Sequence, residues 1–373
     1  MNLEVNVEKT KDQARFFIIE FETFNVQSCY LKVLIQFTNS GIYCQQAKVY
    51  IDPWKPVDKA IITHAHSDHA RAGSKEYLAH DDSQFILRHR LGNISLQTIP
   101  YYQTIKINGV QISLHPAGHI IGSAQVRLEY LGEVWVISGD YKVKRDGYTI
   151  PFEPIKCQHF VTESTFGLPI YNFPDSDKVN QQMNKWVAQN ALEGQSSVII
   201  AYALGKAQRI LNGLETDLPI LLHTTVFNTN EALRLDNSRY IKFTPELKKE
   251  QINPGVVIAT SMAMGTPWLR RFDPYKLAMC SGWMQLRGAR RRRNADMGFI
   301  MSDHADWVGL NEAVLATGAE NVYVTHGYKT NYAKWLRENY RLNAFEIETL
   351  FEGEGIESDS SENESEKKEI STL

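Results

Sequence analysis

Apolar positions in the first half of the chain come in short runs. Some alternate with polar residues and some fill several places in succession. "YLKVLIQF" (30–37), "KVYID" (48–52), "AIITH" (60–64), "QISLH" (111–115), "AQVRLEYL" (124–131) and "EVWVISGD" (133–140) predict strands. Similar runs at 160–163, 197–203, 254–260, 298–304 and 321–327 extend the pattern. Between them, 177–192 and 206–215 carry apolar residues at three-to-four spacing, and 306–318 opens on an acid and closes on a glycine. These predict helices. The strand–helix alternation from about 197 to 270 differs from the β-rich start and implies an inserted α/β lobe. Several strands run straight into Asp, Glu or His, so one sheet edge should gather them, as open α/β sheets do.

Composition narrows the class. The 373 residues are 43% hydrophobic and 22% charged, ordinary for a globular protein. No run approaches the roughly 18 apolar residues of a membrane helix, and the N-terminus lacks the apolar core of a signal peptide. No membrane partner is expected. Cys29, Cys44, Cys157 and Cys280 are scattered without a CxxC pair, which fits reduced thiols and a cytoplasmic location. The net charge of −3 is uneven: from Glu352 onward eight acids face two lysines, leaving +3 on the remainder. This acidic tail lacks aromatics and should be disordered, as a solubilising end or as a mimic competing for a basic groove. At the other extreme "RGARRRR" (287–293) concentrates Arg287, Arg290, Arg291 and Arg292. Without interleaved acids it repels itself, so a phosphate-backbone contact is the reading preferred over a solvated face.

"THAHSDHA" (63–70) carries the chemistry. The chain has eleven histidines, and three lie between positions 64 and 69. In an extended segment alternate side chains share a face, so His64 and His66 can grip one ion together. A turn after them would bring Asp68 and His69 to a second ion. Imidazole with carboxylate suits zinc, with manganese or iron as the other fits. His119, Asp140 and His326, each at a strand end, supply the remaining candidates.

In this order, "IDP…THAHSDH…AGH…SGD…THG" resembles the motifs of the metallo-β-lactamase fold, an αββα sandwich with two metals at one sheet edge. The resemblance implies that His64, His66 and His119 hold one metal and Asp68, His69 and His326 the other. Asp140 would bridge them, and Asp52 would orient ligands from behind. "VTESTFG" (161–167), "AYALGKAQRIL" (201–211) and "MSDHADW" (301–307) further resemble the β-CASP nucleases, in which an inserted cap clamps a nucleic-acid strand. Within them "SGWMQLRGARRRR", "GFIMSDHADW" and "TESTFGLPIY" resemble the bacterial ligase-associated DNA exonucleases, with "TNSG" (38–41) as a departure. The expected layout is an extension at 1–29, a metallo-β-lactamase domain at 30–180 and 295–350, a cap at 181–294 and the tail at 351–373.

The expected activity is DNA hydrolysis with two divalent ions, zinc or manganese. By resemblance it would act beside an ATP-dependent ligase and a helicase. Asp68 would orient the nucleophile, His304 would protonate the leaving oxygen, and Glu163 would hold His304. Lys206, at a glycine turn into a helix, would grip phosphate, with a solvated face as its alternative. Trp283 reads as core before base-stacking. The rivals are an RNA-processing member of the same superfamily, a small-molecule hydrolase, and a metal-free binding subunit; the full ligand set argues against the last.

Overall fold

A computed structural model describes residues 34–349, apart from 287 and 289–293. The expected extension at 1–29, the acidic tail and Arg287, Arg290, Arg291 and Arg292 lie outside the described residues. The alternating runs of the first half build two sheets. β1 (Ile35–Thr38), β2 (Gly41–Cys44), β3 (Val49–Ile51), β4 (Lys59–Ile61), β5 (Glu76–His80) and β6 (Leu96–Ile99) neighbour one another in chain order. β1 to β3 run antiparallel and β3 to β6 parallel. β7 (Thr104–Ile107), β8 (Val110–Pro116), β9 (Ala124–Tyr130) and β10 (Glu133–Ile137) form an antiparallel meander, and β11 (His159–Glu163) joins β10 in parallel.

The chain then makes a third, wholly parallel sheet. Its strands are β12 (Ser196–Ile200), β13 (Ile220–Leu222), β14 (Tyr240–Lys242), β15 (Val256–Ala259), β16 (Tyr275–Cys280) and β17 (Met297–Phe299). Their order is β14-β13-β15-β12-β16-β17. The last of them falls beyond residue 294, where the cap was expected to close. The chain returns to the second sheet with β18 (Asn321–Thr325) beside β11 and β19 (Asn343–Glu346) at the edge.

Period-two alternation explains the layers. Ile51, Ile61 and Leu78 of the first sheet meet Ile112, Leu128, Trp135 and Ile137 of the second in one core. Val136, between Trp135 and Ile137, faces the other way. On the outer face of the first sheet, Ala60, Ile62 and Tyr77 pack against Ile86 and Leu87 of α1 (Gln84–Leu91). In the third sheet α2 (Ser176–Leu192), α3 (Lys206–Gly213) and α4 (Thr224–Ala232) supply Val179, Met183, Ile210, Leu211 and Val226 to one face. The outer face of the second sheet packs Val136, Phe160, Val322 and Val324 under α5 (Trp307–Thr317) and α6 (Lys329–Tyr340). Asp306 caps α5 by accepting from the Gly309 amide, and Gly318 closes it at φ 67°. The result is an αββα sandwich carrying an additional parallel α/β layer. Among the described residues no helix is long and apolar enough to cross a membrane.

Candidate metal centre

The second sheet decides where the site forms. β8 and β10 flank the antiparallel β9, and β11 and β18 run parallel to β10, so all four strands end at the same edge. Each exit carries a chemical group: His119 after β8, Asp140 after β10, Glu163 on β11 and His326 after β18. Across the sandwich, β3 runs into Asp52 and β4 into His64. The "SGD" loop approaches the histidine loop so closely that a Cβ on Gly139, at φ +57°, would lie 2.6 Å from Thr63 Oγ1.

The ligand atoms converge in two groups. Donor atoms of His64, His66, His119 and Asp140 lie within 4.8 Å of one another, and so do those of Asp68, His69 and His326. Asp140 Oδ2 stands between the groups, 3.6 Å from His64 Nε2, 3.9 Å from His119 Nε2 and 3.4 Å from His69 Nε2. His69 Nε2 is also 3.7 Å from Asp68 Oδ2.

Hydrogen bonds at the rear of four of the rings indicate which nitrogen faces inward. His119 Nδ1 donates to the Asp303 carbonyl at 2.8 Å, and His66 Nε2 to the Leu204 carbonyl at 3.1 Å. Carbonyls only accept, so in their neutral forms His119 and His66 turn lone pairs toward each other, 2.9 Å apart. His69 Nδ1 donates to Asp52 Oδ2 at 2.7 Å. His64 Nδ1 lies 3.1 Å from Thr63 Oγ1, which itself donates to Asp52 at 2.6 Å. Among the described residues His64 Nε2 and His69 Nε2 are buried without a hydrogen-bond partner. Two such buried nitrogens are costly, and a divalent cation near each would answer them. The residues therefore fit a pair of divalent metal ions.

Electrostatics agree. Burial, reinforced by neighbouring imidazoles, pushes His64 and His119 well below the ordinary imidazole range, leaving both neutral for ligation. Burial also lowers His326. Burial works against the Asp140 charge, yet His69 and His304 outweigh it and hold the carboxyl well below its usual range. Burial likewise opposes a charged His69, but Asp140, Asp68 and Asp52 outweigh it and lift its pKa well above normal. A divalent cation held there would take the place of the proton.

Beside the ligands, His304 Nδ1 lies 2.9 Å from Glu163 Oε2, with both side chains buried. After Glu163, Ser164 Oγ donates to the His326 carbonyl, and His326 itself sits at φ 51°. Asp52, at φ 44°, is the other non-glycine ligand-shell residue in the left-handed region, where Asp and His are enriched. His115 hydrogen-bonds Ser113 and stands apart from the ligand groups. Trp283 is core, its ring 4.7 Å from Phe166. Lys206, expected at an open phosphate-gripping turn, is instead buried, with its ammonium 3.0 Å from Asp303 Oδ1. Asp303 is the residue that sequence reasoning passed over. Its position immediately before His304 in "MSDHADW" was the available signal.

No family model matches the chain. A "Probable DNA ligase" of Opitutus terrae is 32% identical over 305 residues, covering 80% of this chain and 30% of that protein. An "RNase J-like protein" of Methanocaldococcus jannaschii is 28% identical over 285 residues, 61% of this chain and 67% of its own length. "Endoribonuclease YSH1" of Yarrowia lipolytica is 30% identical over 118 residues, 31% of this chain and 14% of that one. The chain belongs to the metallo-β-lactamase-fold β-CASP nuclease family. This β-CASP chain spans less than a third of the length of the ligase-named relative. A structure of a protein of unknown function from Enterococcus faecalis shares the fold, with TM-score 0.55 at 11% identity over 79% of the β-CASP chain and 80% of the other.

Proposed function

We propose that the chain is a two-metal phosphodiesterase that degrades DNA strands from an end, in DNA repair or processing. The observation that carries this reading is the meeting of two ligand groups on Asp140 Oδ2 beside the His304–Glu163 pair. Two ions, zinc first and manganese second, would be held by His64, His66 and His119 and by Asp68, His69 and His326, with Asp140 shared. When bound, such a pair makes water acidic and neutralises charge on a phosphate. The protein supplies the rest. Asp68 accepts a hydrogen bond from the attacking water and aims it. His304 presents its Nε2 proton to the departing sugar oxygen, because Glu163 occupies Nδ1 and fixes the ring. Asp52 holds His69 in the tautomer that turns Nε2 inward. Arg287, Arg290, Arg291 and Arg292 would track the phosphate backbone.

DNA is favoured because the relative matching across 80% of the chain is named a probable DNA ligase. A nuclease acting beside a ligase fits that name, and the helicase is proposed from the family resemblance alone. The RNA reading rests on the relatives named RNase J-like and YSH1 endoribonuclease. End-labelled DNA and RNA of matched sequence, incubated with the protein under zinc, manganese and magnesium in turn, separate the two. Preferential loss of DNA label one nucleotide at a time supports the proposal, and preferential RNA cleavage overturns it.

A further inference from the structure

α3 has two faces with different tasks. Ala207, Ile210 and Leu211 sink into the core of the third sheet. Lys206 and Arg209, one turn apart on the other side, reach back to the first ligand group together with the turn before them. The Leu204 carbonyl accepts from His66 Nε2 at 3.1 Å. Lys206 Nζ meets Asp303 Oδ1 at 3.0 Å, with side-chain exposures of 1% and 0%. The Asp303 carbonyl in turn accepts from His119 Nδ1 at 2.8 Å. Arg209 Nη2 donates to the His119 carbonyl at 2.6 Å, while its Nε donates to Asp146 at 2.6 Å. Gly205, at φ +101°, lets the turn close on the carboxylate: a Cβ there would lie 2.8 Å from Asp303 Oδ2.

Two of the three imidazoles in that group are thus held from behind by backbone whose position depends on α3. An ammonium whose side chain is 1% exposed is out of reach of a phosphate at the surface. Its charge matters because removing one partner strands the other in a buried site. We propose that the 204–209 turn is a strut. Lys206, Asp303 and Arg209 are positioning residues that set His66 and His119, so that seating of the third-sheet lobe and binding of the first ion are one linked equilibrium. Linkage is reciprocal: what loosens the lobe loosens the ion, and the ion tightens the lobe. The inference rests on the two-ion reading above.

The test uses the full-length chain and zinc ions titrated against a competing chelator, with hydrogen exchange measured across residues 202–209. Zinc should slow exchange there in the wild type. Lys206→Met should lower the affinity for one ion ten- to hundredfold, the range for lost outer-shell partners, and leave the other ion unaffected. Lys206→Arg should recover most of that loss. The double variant Lys206→Met/Asp303→Asn should lose less than the two single effects combined, because no charge is stranded. If Lys206→Met does not fold, Lys206→Arg and the wild-type exchange measurement decide. Exchange at 202–209 that ignores zinc, in a protein binding two ions, overturns the strut. So does Lys206→Met with normal ion affinities and weakened DNA binding. A wild type that binds no zinc or manganese overturns the two-ion reading itself.

Discussion

Asp52 is the most economical place to test the ligand network. Its carboxylate accepts three hydrogen bonds: from the Thr63 amide at 2.8 Å, from the Thr63 hydroxyl at 2.6 Å and from His69 Nδ1 at 2.7 Å. Asp52→Asn keeps size and shape, and asparagine tolerates the φ of 44° found there. One amide oxygen still serves the Thr63 N–H. The amide NH2 cannot accept, so two bonds to a charged acceptor are lost, each worth about 1.5–3 kcal/mol. Reorientation of the Thr63 hydroxyl and a change of His69 tautomer recover part of that. The latter is the damaging step, because it places a proton on the nitrogen that faces the ion. We therefore expect a ten- to hundredfold loss of affinity for the ion held by His69, equivalent to about 1.4–2.7 kcal/mol. The His64 group should change less, feeling the substitution only through the Thr63 hydroxyl 3.1 Å from His64 Nδ1. Chelator-competition titration with zinc, checked by elemental analysis of the recovered protein, reads both affinities. Unchanged affinity for both ions in a folded Asp52→Asn protein would refute the ligand-orienting role.

Other outcomes follow from the same geometry. His304→Ala should slow cleavage by about 10²–10⁴-fold with both ions and DNA binding retained; normal turnover would remove it as the proton donor. Arg291→Ala with Arg292→Ala should weaken DNA binding equally across sequences and reduce the salt slope by about one unit for each phosphate left without its arginine. An unchanged slope in filter binding would return them to the solvated surface. Acid should loosen the strut: burial works against the Asp146 charge, but Arg209 and Lys142 hold its carboxyl below the usual range. A folded pKa below the unfolded one contributes stability above about pH 4 and loses it as pH falls through the folded value. Asp146→Asn should accordingly cost about 3–5 kcal/mol near neutral pH, with a smaller difference from wild type below pH 4 in urea titrations.

How much was legible beforehand depends on how local each signal was. The strands of the sandwich announced themselves because their alternation is period two, and α5 because Asp306 and Gly318 bracket it. By contrast, α6 buries only Tyr332, Ala333 and Leu336 in a polar run, too thin a stripe to read. β5 (EYLAH) and β6 (LQTI) lie on either side of α1 and are too short to show a clear period. The candidate ligand types and their order were visible, since a histidine cluster after an apolar run is rare and costly.

By itself, the sequence determined which side chains could grip ions and the alternation that folds its sheets, because both are properties of residue type and spacing. The tertiary structure alone decided which backbone carbonyls back His66 and His119, that Asp303 belongs to the centre, and that Lys206 is sealed inside it. The two carbonyl contacts join residues 138 and 184 positions apart, and nothing in the local chain encodes a partner at such a distance; only packing one lobe against the other brings them into register.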